Sequence, residues 1–309
     1  MRYAVLAGVL LALDAPPWEA QQVSYEGGLS ASTGAYIFTE RTNSFALSTG
    51  LFLRTGRWSF RATVPVWLQN TTLVTSSGAG SVPTGGPYGQ GAVSDSGQAR
   101  EQRKQGGGGN GQGPDGQGPS GQQPVPITAA VAGEPVPAPE EALTGYQVAL
   151  ADPTLSVTGR LLETGRLMLS LGGTVKFPLA DTATVGTGEW DIGANLSMSV
   201  LAGGRWSFGL DAAYWHLGDL DSLELKDPLV GSVSVGALLG DRWGAMLSLM
   251  GSTTTLTGFD PPVSVTAGLN HFAPSFTWGI NLGAGLTESA PDVTVGLLWS
   301  VPFGRGGSP

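Results

Sequence analysis

Residues 204–216, GRWSFGLDAAYWH, sort by alternation into two faces: Trp206, Phe208, Leu210, Ala212 and Tyr214 on one, Ser207, Gly209, Asp211 and Ala213 on the other. A period of two is that of a β-strand, whose side chains point alternately to its two faces. The same sorting of 190–200 sets Trp190, Ile192, Leu196 and Met198 against Asp191, Gly193, Asn195, Ser197 and Ser199. In 167–177 it sets Leu167, Leu169, Leu171, Val175 and Phe177 against Met168, Ser170, Gly172, Thr174 and Lys176. The second face is what constrains the fold. A soluble sheet covers its solvent side largely with Lys, Glu, Arg and Thr, whereas here that side is mostly Ser, Gly, Thr and Asn. Small neutral residues suit the crowded or hydrated interior of a barrel, and the apolar face then looks into lipid. In hydrocarbon every backbone N–H and C=O must be paired within the sheet, so such strands close into a barrel with no free edge. A soluble β-sandwich with these aromatics in its core is the competing reading.

Composition agrees with the lipid-facing reading. Only 13% of the residues are charged and 49 are Gly, where soluble domains carry about a quarter charged. No run of about 18 apolar residues follows the N-terminus, so a membrane-spanning helix is not expected. The chain has no Cys and only two His, His216 and His271, which leaves no disulfide or thiolate chemistry and little room for imidazole sites. A net charge of −9 argues against a nucleic-acid partner.

Continued along the chain, alternation gives about twelve strands, at 23–36, 43–54, 58–69, 151–162, 166–178, 189–201, 205–216, 229–239, 243–254, 263–270, 275–286 and 292–303. The expected fold is therefore all-β: a single antiparallel transmembrane β-barrel occupying 23–303, with the even strand count of a single-chain bacterial barrel. Short turns at Thr55–Arg57, Glu163–Gly165, Ala202–Gly204, Gly240–Arg242 and His271–Pro274 alternate with longer loops. Short turns are expected at the periplasmic rim and long loops outside. The repeat GRWSF at 56–60 and 204–208 marks two of those turns. It places Trp58 and Trp206, with Trp243, at one aromatic girdle, and Phe177, Trp190 and Tyr214 at the other.

Three segments fall outside the strands. Residues 1–22 resemble an export signal: Arg2, the apolar Ala4–Leu13, then Pro16 and Pro17, with cleavage after Ala15 or Ala20. A buried N-terminal helix is the alternative. Residues 71–149 form an extracellular insert expected to be largely disordered, because its Gly, Gln, Ser and Pro bury too little apolar surface to offset ordering. Residues 304–309 form a C-terminal tail behind Phe303.

The stretches KFPLADTATVGTGEWD (176–191), GLTESAPD (285–292) and WSFRATVPV (58–66), with Pro65, together resemble the outer-membrane "transporter" barrels labelled MetA-pathway of phenol degradation. The resemblance covers most of 43–303 apart from the insert. After Lys176 and Pro178 that family's pattern has Thr-Gly-Asp where this chain has Leu179, Ala180 and Asp181, so the loop turn is expected to differ. The resemblance implies passage of small aromatic or hydrophobic compounds across the outer membrane, and it brings no catalytic residues.

In a pore, inward charges set the field and the selectivity. Alternation places Arg54, Arg61, Arg160, Lys176, Asp191 and Asp211 on the inward face as pore-lining candidates. The three Arg lie on strands two to four and are expected to form a basic patch, while Lys176 and Asp191 face each other for an ion pair. The competing reading is that opposite charges bridge the wall and fill a narrow lumen. No enzyme is expected, because the outward neighbours of His216, namely Trp190, Ile192, Leu229 and Gly231, include no nucleophile. Asp219, Asp221, Glu224 and Asp227 are expected to form a solvated acidic loop, since Leu220, Leu223 and Leu225 interrupt it and no Gly supplies a calcium-loop turn. The sequence therefore calls for no cofactor, metal or catalytic residue. The expected partners are outer-membrane lipid, a small-molecule solute and the outer-membrane assembly machinery of a Gram-negative-type bacterium. The expected function is passive passage of small solutes, and the alternative is a structural or surface-interaction barrel without a conducting pore.

Overall fold

A computed structural model describes residues 22–106 and 134–303 of the chain. The expected signal cleavage, the Gly/Gln/Pro-rich centre of the insert and the C-terminal tail lie outside the described residues. The strands are β1 (Gln22–Gly34), β2 (Thr42–Thr55), β3 (Trp58–Gln69), β4 (Thr75–Ser77), β5 (Gly80–Val82), β6 (Gln147–Leu150) and β7 (Thr154–Glu163). They continue as β8 (Leu167–Lys176), β9 (Asp191–Ala202), β10 (Trp206–His216), β11 (Leu229–Leu238) and β12 (Trp243–Ser252), then β13 (Val263–His271), β14 (Thr277–Gly285) and β15 (Val293–Phe303). Among the described residues, an α-helix, α1 (Gly86–Gly106), and a 3-10 turn (Glu140–Ala142) lie between β5 and β6.

Thirteen strands form one antiparallel sheet in which neighbours follow chain order, and β1 pairs with β15 from Val23↔Phe303 to Thr33↔Val293. That last ladder closes the barrel and leaves no edge for lipid to strip of its hydrogen bonds. Because β6 and β7 both pair with β3, they share one position, and the barrel has twelve staves.

The fourth stave begins earlier than the expected residue 151 and is broken between β6 and β7. The cause is proline, which has no N–H to give to a ladder. Pro153 stands at the break, and Pro65 stands opposite on β3. Ala151 N–H donates to the Pro65 carbonyl at 2.9 Å and Phe177 N–H to the Pro153 carbonyl at 2.9 Å, so the stave bends there without orphaning its backbone. A second irregularity, a bulge between Arg160 and Leu162, follows in β7.

Leu51, Phe208, Leu210, Leu249 and Leu282 are exposed on the outer face of the wall. The girdle aromatics follow: Trp58, Trp206, Trp190 and Tyr214 are exposed, and Phe177 meets Trp190 edge-on with ring centroids 5.1 Å apart. At the other rim Trp243, His271 and Trp278 form one aromatic cluster.

The largest buried apolar cluster lies outside the barrel wall. Ile37 and Phe38 from the β1–β2 connection, Leu73, Val74, Val82 and Val93 from the insert, Leu217, Leu223 and Leu225 after β10, and Leu256 and Phe259 after β12 pack into one core. The long loops thus collapse together into a cap. The leucines of 216–228, expected to interrupt an acidic loop, are what anchor that loop in the cap. Asp219 turns inward on its own loop and accepts from Leu225 N–H at 2.9 Å.

The flanks of the insert depart from the expected disorder. Helix α1 starts with Pro87 in its first turn, where a missing N–H costs nothing. Its buried stripe runs through Gly89, Val93, Ser96, Gly97 and Arg100, at the helical repeat but almost without hydrocarbon. At Gly97 an added Cβ would overlap the Thr257 carbonyl oxygen, so the missing side chain is what lets the helix backbone lie against the loop. Arg100 completes the seat. Its guanidinium lies 4.3 Å over the Phe259 ring, donates to Glu288 at 2.6 Å and donates to the Glu134 carbonyl at 2.6 Å.

Candidate functional site

The face that β1 turns into the barrel reads Ser24, Glu26, Gly28, Ser30 and Ser32, and its partners across the ladder show which side chains share the lumen. Glu26 pairs in register with Gly50 and Ser300, and Arg61 with Phe52 and Ser156. Arg61 Nε donates to Glu26 Oε2 at 2.7 Å and its Nη2 to Oε1 at 3.4 Å. The guanidinium also stands 5.4 Å from the centre of the Phe52 ring. This pair opens into a cavity of about 360 Å³ whose other walls include Ser48, Thr63, Asn270, Thr277 and Leu298.

Farther along the same wall, toward the long loops, lies a second cavity of about 180 Å³. It is lined by Ser30, Ser32, Ser44, Trp67 and Thr294 of the wall and by Ser81 of β5. Strands β4 and β5 form a small hairpin of their own, and it reaches two sides of the wall at the long-loop end. On one side its Ser81 faces this cavity. On the other its tip, Gly78, presses on Trp215, and Gly78 N–H donates to Asp191 Oδ2 at 2.6 Å. Trp215 is an inward residue, since its ring covers Gly193 on the inward face of β9. The hairpin is therefore a plug that narrows the long-loop mouth of the lumen to the β1–β2 side.

The plug is held by buried charge. Lys176 Nζ lies 2.8 Å from Asp152 Oδ2 and 3.3 Å from Asp191 Oδ2, and it donates to Thr187 Oγ1 at 2.7 Å. Lys176 and Asp191 are each 1% exposed and Asp152 is 2% exposed, so neither member of the Lys176–Asp191 pair lines open water. Every oxygen of the two carboxylates has at least one partner: Asp152 accepts from the backbone N–H groups of Leu179 and Ala180, and Asp191 from those of Gly78 and Gly218. Buried charges persist only when paired and hydrogen-bonded in this way. Ser76 N–H donates to the Val185 carbonyl at 2.9 Å, a further tie between the hairpin and the β8–β9 loop.

The remaining candidates are spread around the wall. Arg160 pairs with Glu163 and donates to the Gly56 carbonyl at 2.6 Å. The expected basic patch of Arg54, Arg61 and Arg160 is thus split, because Arg61 and Arg160 each have a carboxylate of their own. Arg54 is exposed near the short-turn end of β2. Asp211 stands exposed midway along β10, accepts from Ser232 Oγ at 3.1 Å and is flanked in register by Ser197 and Ser232.

Glu26 and Asp152 were not singled out from sequence. Glu26 obeys the same alternation as its strand, so the pattern held the signal. Asp152 did not, because it sits in the proline break where alternation stops.

On the outer face, His216 Nδ1 lies 3.0 Å from Asp227 Oδ2, and Tyr214 hydroxyl donates to the same oxygen at 2.8 Å. Desolvation pushes the Asp227 carboxyl up, but the hydrogen bonds from His216, Tyr214 and Leu217 N–H outweigh it and hold Asp227 below the usual carboxylate range. The partner of His216 is thus a carboxylate and not a serine hydroxyl.

No protein-family model matches the chain, and no curated protein matches it. Among solved structures it is similar to an outer membrane channel from Pseudomonas putida F1, at 13% identity over 94% of this chain and 98% of that one, with a TM-score of 0.58. It is also similar to the KdgM porin, at 6% identity over 92% and 99% of the two chains with a TM-score of 0.46. A third is the CymD monoaromatic hydrocarbon channel, at 10% identity over 93% and 89% with a TM-score of 0.44. The likeness to the Pseudomonas channel is one of fold, a closed barrel matched along nearly the whole of both chains.

Proposed function

We propose that the protein is an outer-membrane channel that lets small solutes pass by diffusion, with its long loops outside the cell. The observation that carries this reading is a pair of cavities on the β1–β2 side of the lumen, with hydroxyl, amide and charged groups among apolar ones on their walls, one beside the plug and one beneath it. Twelve staves enclose more room than the eight that side chains just fill. The resemblance to the MetA-pathway barrels supports an aromatic or hydrophobic solute, and Leu298 gives the larger cavity an apolar wall beside its polar ones. The folded cap favours a second reading, a barrel that acts through its external surface, because so much loop is ordered over the mouth.

Recordings from purified protein in planar bilayers separate the two. Discrete conductance steps together with solute-driven swelling of liposomes support the channel. A folded protein that inserts and gives neither supports the surface reading.

A further inference from the structure

Of the inward charged groups, one pair borders the open cavity beneath the plug. Lys176, Asp152 and Asp191 are buried, Arg160 is tied to Glu163 and a backbone carbonyl, and Asp211 lies on the β10 wall among serines. Glu26 and Arg61 border the cavity side by side, at 26% and 54% side-chain exposure. Their mutual bonds use Nε and Nη2 of the guanidinium, which leaves Nη1 with both its hydrogens to offer. The Phe52 ring, with its centre 5.4 Å from the guanidinium carbon, flanks the planar group. Around them stand Thr63, Asn270, Thr277 and Ser300, which accept or donate but carry no charge.

Two opposite charges side by side present a dipole with no net charge. A solute of one sign gains from one member what it loses to the other. A solute carrying both signs lies antiparallel to the pair, its carboxylate on Arg61 and its ammonium on Glu26, and gains from both. Leu298 on the same cavity accommodates a short apolar body.

We infer that the Glu26–Arg61 pair is a selectivity site for small zwitterions bearing an apolar or aromatic group, held between the pair and Leu298. This rests on the channel reading and names its solute class.

The test is calorimetric titration of the full-length protein in detergent with four probes that share one ring: phenylalanine, phenylacetate, phenethylamine and phenylethanol. Phenylalanine is expected to bind at least about tenfold more tightly than each of the others. Glu26→Gln is expected to turn the preference toward phenylacetate, and Arg61→Gln toward phenethylamine. The charge swap, Glu26→Arg with Arg61→Glu, keeps a pair in place and is expected to restore the preference for phenylalanine, which guards against a single variant that folds poorly. Equal binding of the four probes, or a preference unmoved by either single substitution, overturns the inference. Conductance of the same preparations reads the channel separately. Ordered binding without conductance removes the passage and keeps the site, whereas conductance with equal binding removes the site and keeps the passage.

Discussion

Gly78 N–H donates to Asp191 Oδ2 at 2.6 Å, and that carboxylate also accepts from Gly218 N–H at 3.1 Å and lies 3.3 Å from Lys176 Nζ. One side chain thereby joins the tip of the plug, the β10–β11 loop and the barrel wall. Asp191→Asn removes the charge that attracts Lys176 and leaves one oxygen for three donors. The plug tip is expected to loosen, so that single-channel current becomes noisier and its mean rises, while Asp211→Asn, away from the plug tip, does not add this noise. Identical traces for wild type and Asp191→Asn would show that the tip is held by other contacts.

Among the described residues, Lys176 is the only cation at its buried cluster, facing Asp152 and Asp191. Lys176→Met strands two carboxylates away from water and is expected to cost about 3–5 kcal/mol. Adding Asp152→Asn and Asp191→Asn to it should recover part of that loss. Urea unfolding in detergent checks both, and a triple variant no more stable than Lys176→Met would refute the charge argument.

Gly91 and Gly97 both lie on α1, yet an added Cβ meets nothing within 4 Å at Gly91 and overlaps the Thr257 carbonyl at Gly97. Gly91→Ala is therefore expected to stabilise the helix by up to about 1 kcal/mol. Gly97→Ala is expected to lift the helix from the cap. Protease digestion reads the difference as slower cleavage within 86–106 for the first and faster cleavage for the second.

Burial pushes the Tyr36 hydroxyl up to about 12 from the ordinary 10, with Asp292 adding to the shift and Ser32 opposing it. A folded-state pKa above the unfolded one means that the stabilisation is complete below pH 10 and is lost as the pH climbs toward 12. The cap should lose roughly 2–3 kcal/mol over that window. Unfolding followed from pH 9 to 12 should show it, and Tyr36→Phe should remove this part of the dependence. A wild-type curve matching that of Tyr36→Phe would contradict the assignment.

Replacing 76–140 by a short Gly-Ser linker takes away the hairpin tip and α1 and none of the twelve staves. The barrel is expected to remain closed and to conduct several-fold better, an order-of-magnitude expectation for removing a constriction. Circular dichroism and bilayer recording together check it, and loss of the strand signal would mean that the insert is needed for closure.

The staves were legible in the sequence because each one states its two faces independently of the others. Lys176 and Asp191 could be matched for the same reason, since alternation and a single loop put them in register. The cap was not legible. Leu217, Leu223 and Phe259 carry no period, and what makes them a core is the meeting of loops distant in sequence. Helix α1 was hidden because Gly89 and Gly97 occupy its buried stripe, so its seat shows no hydrophobic repeat. Asp152 was hidden by the adjacent proline, which ends the pattern by which the other inward residues were found.

The cap also imposes an order on how the molecule comes into being. Its members run from Tyr36 to Phe259 and come from four loops that are far apart in the chain. Contacts of such long sequence separation form late, after the chain has been brought together by other means. Here the other means is the sheet, whose hairpins close locally and whose final ladder joins β1 to β15. Until that ladder zips, Ile37, Phe38, Leu73 and Phe259 are carried as uncovered apolar segments on the ends of a half-built wall. Such surfaces are prone to aggregate, so the period before closure is when this protein depends most on being escorted.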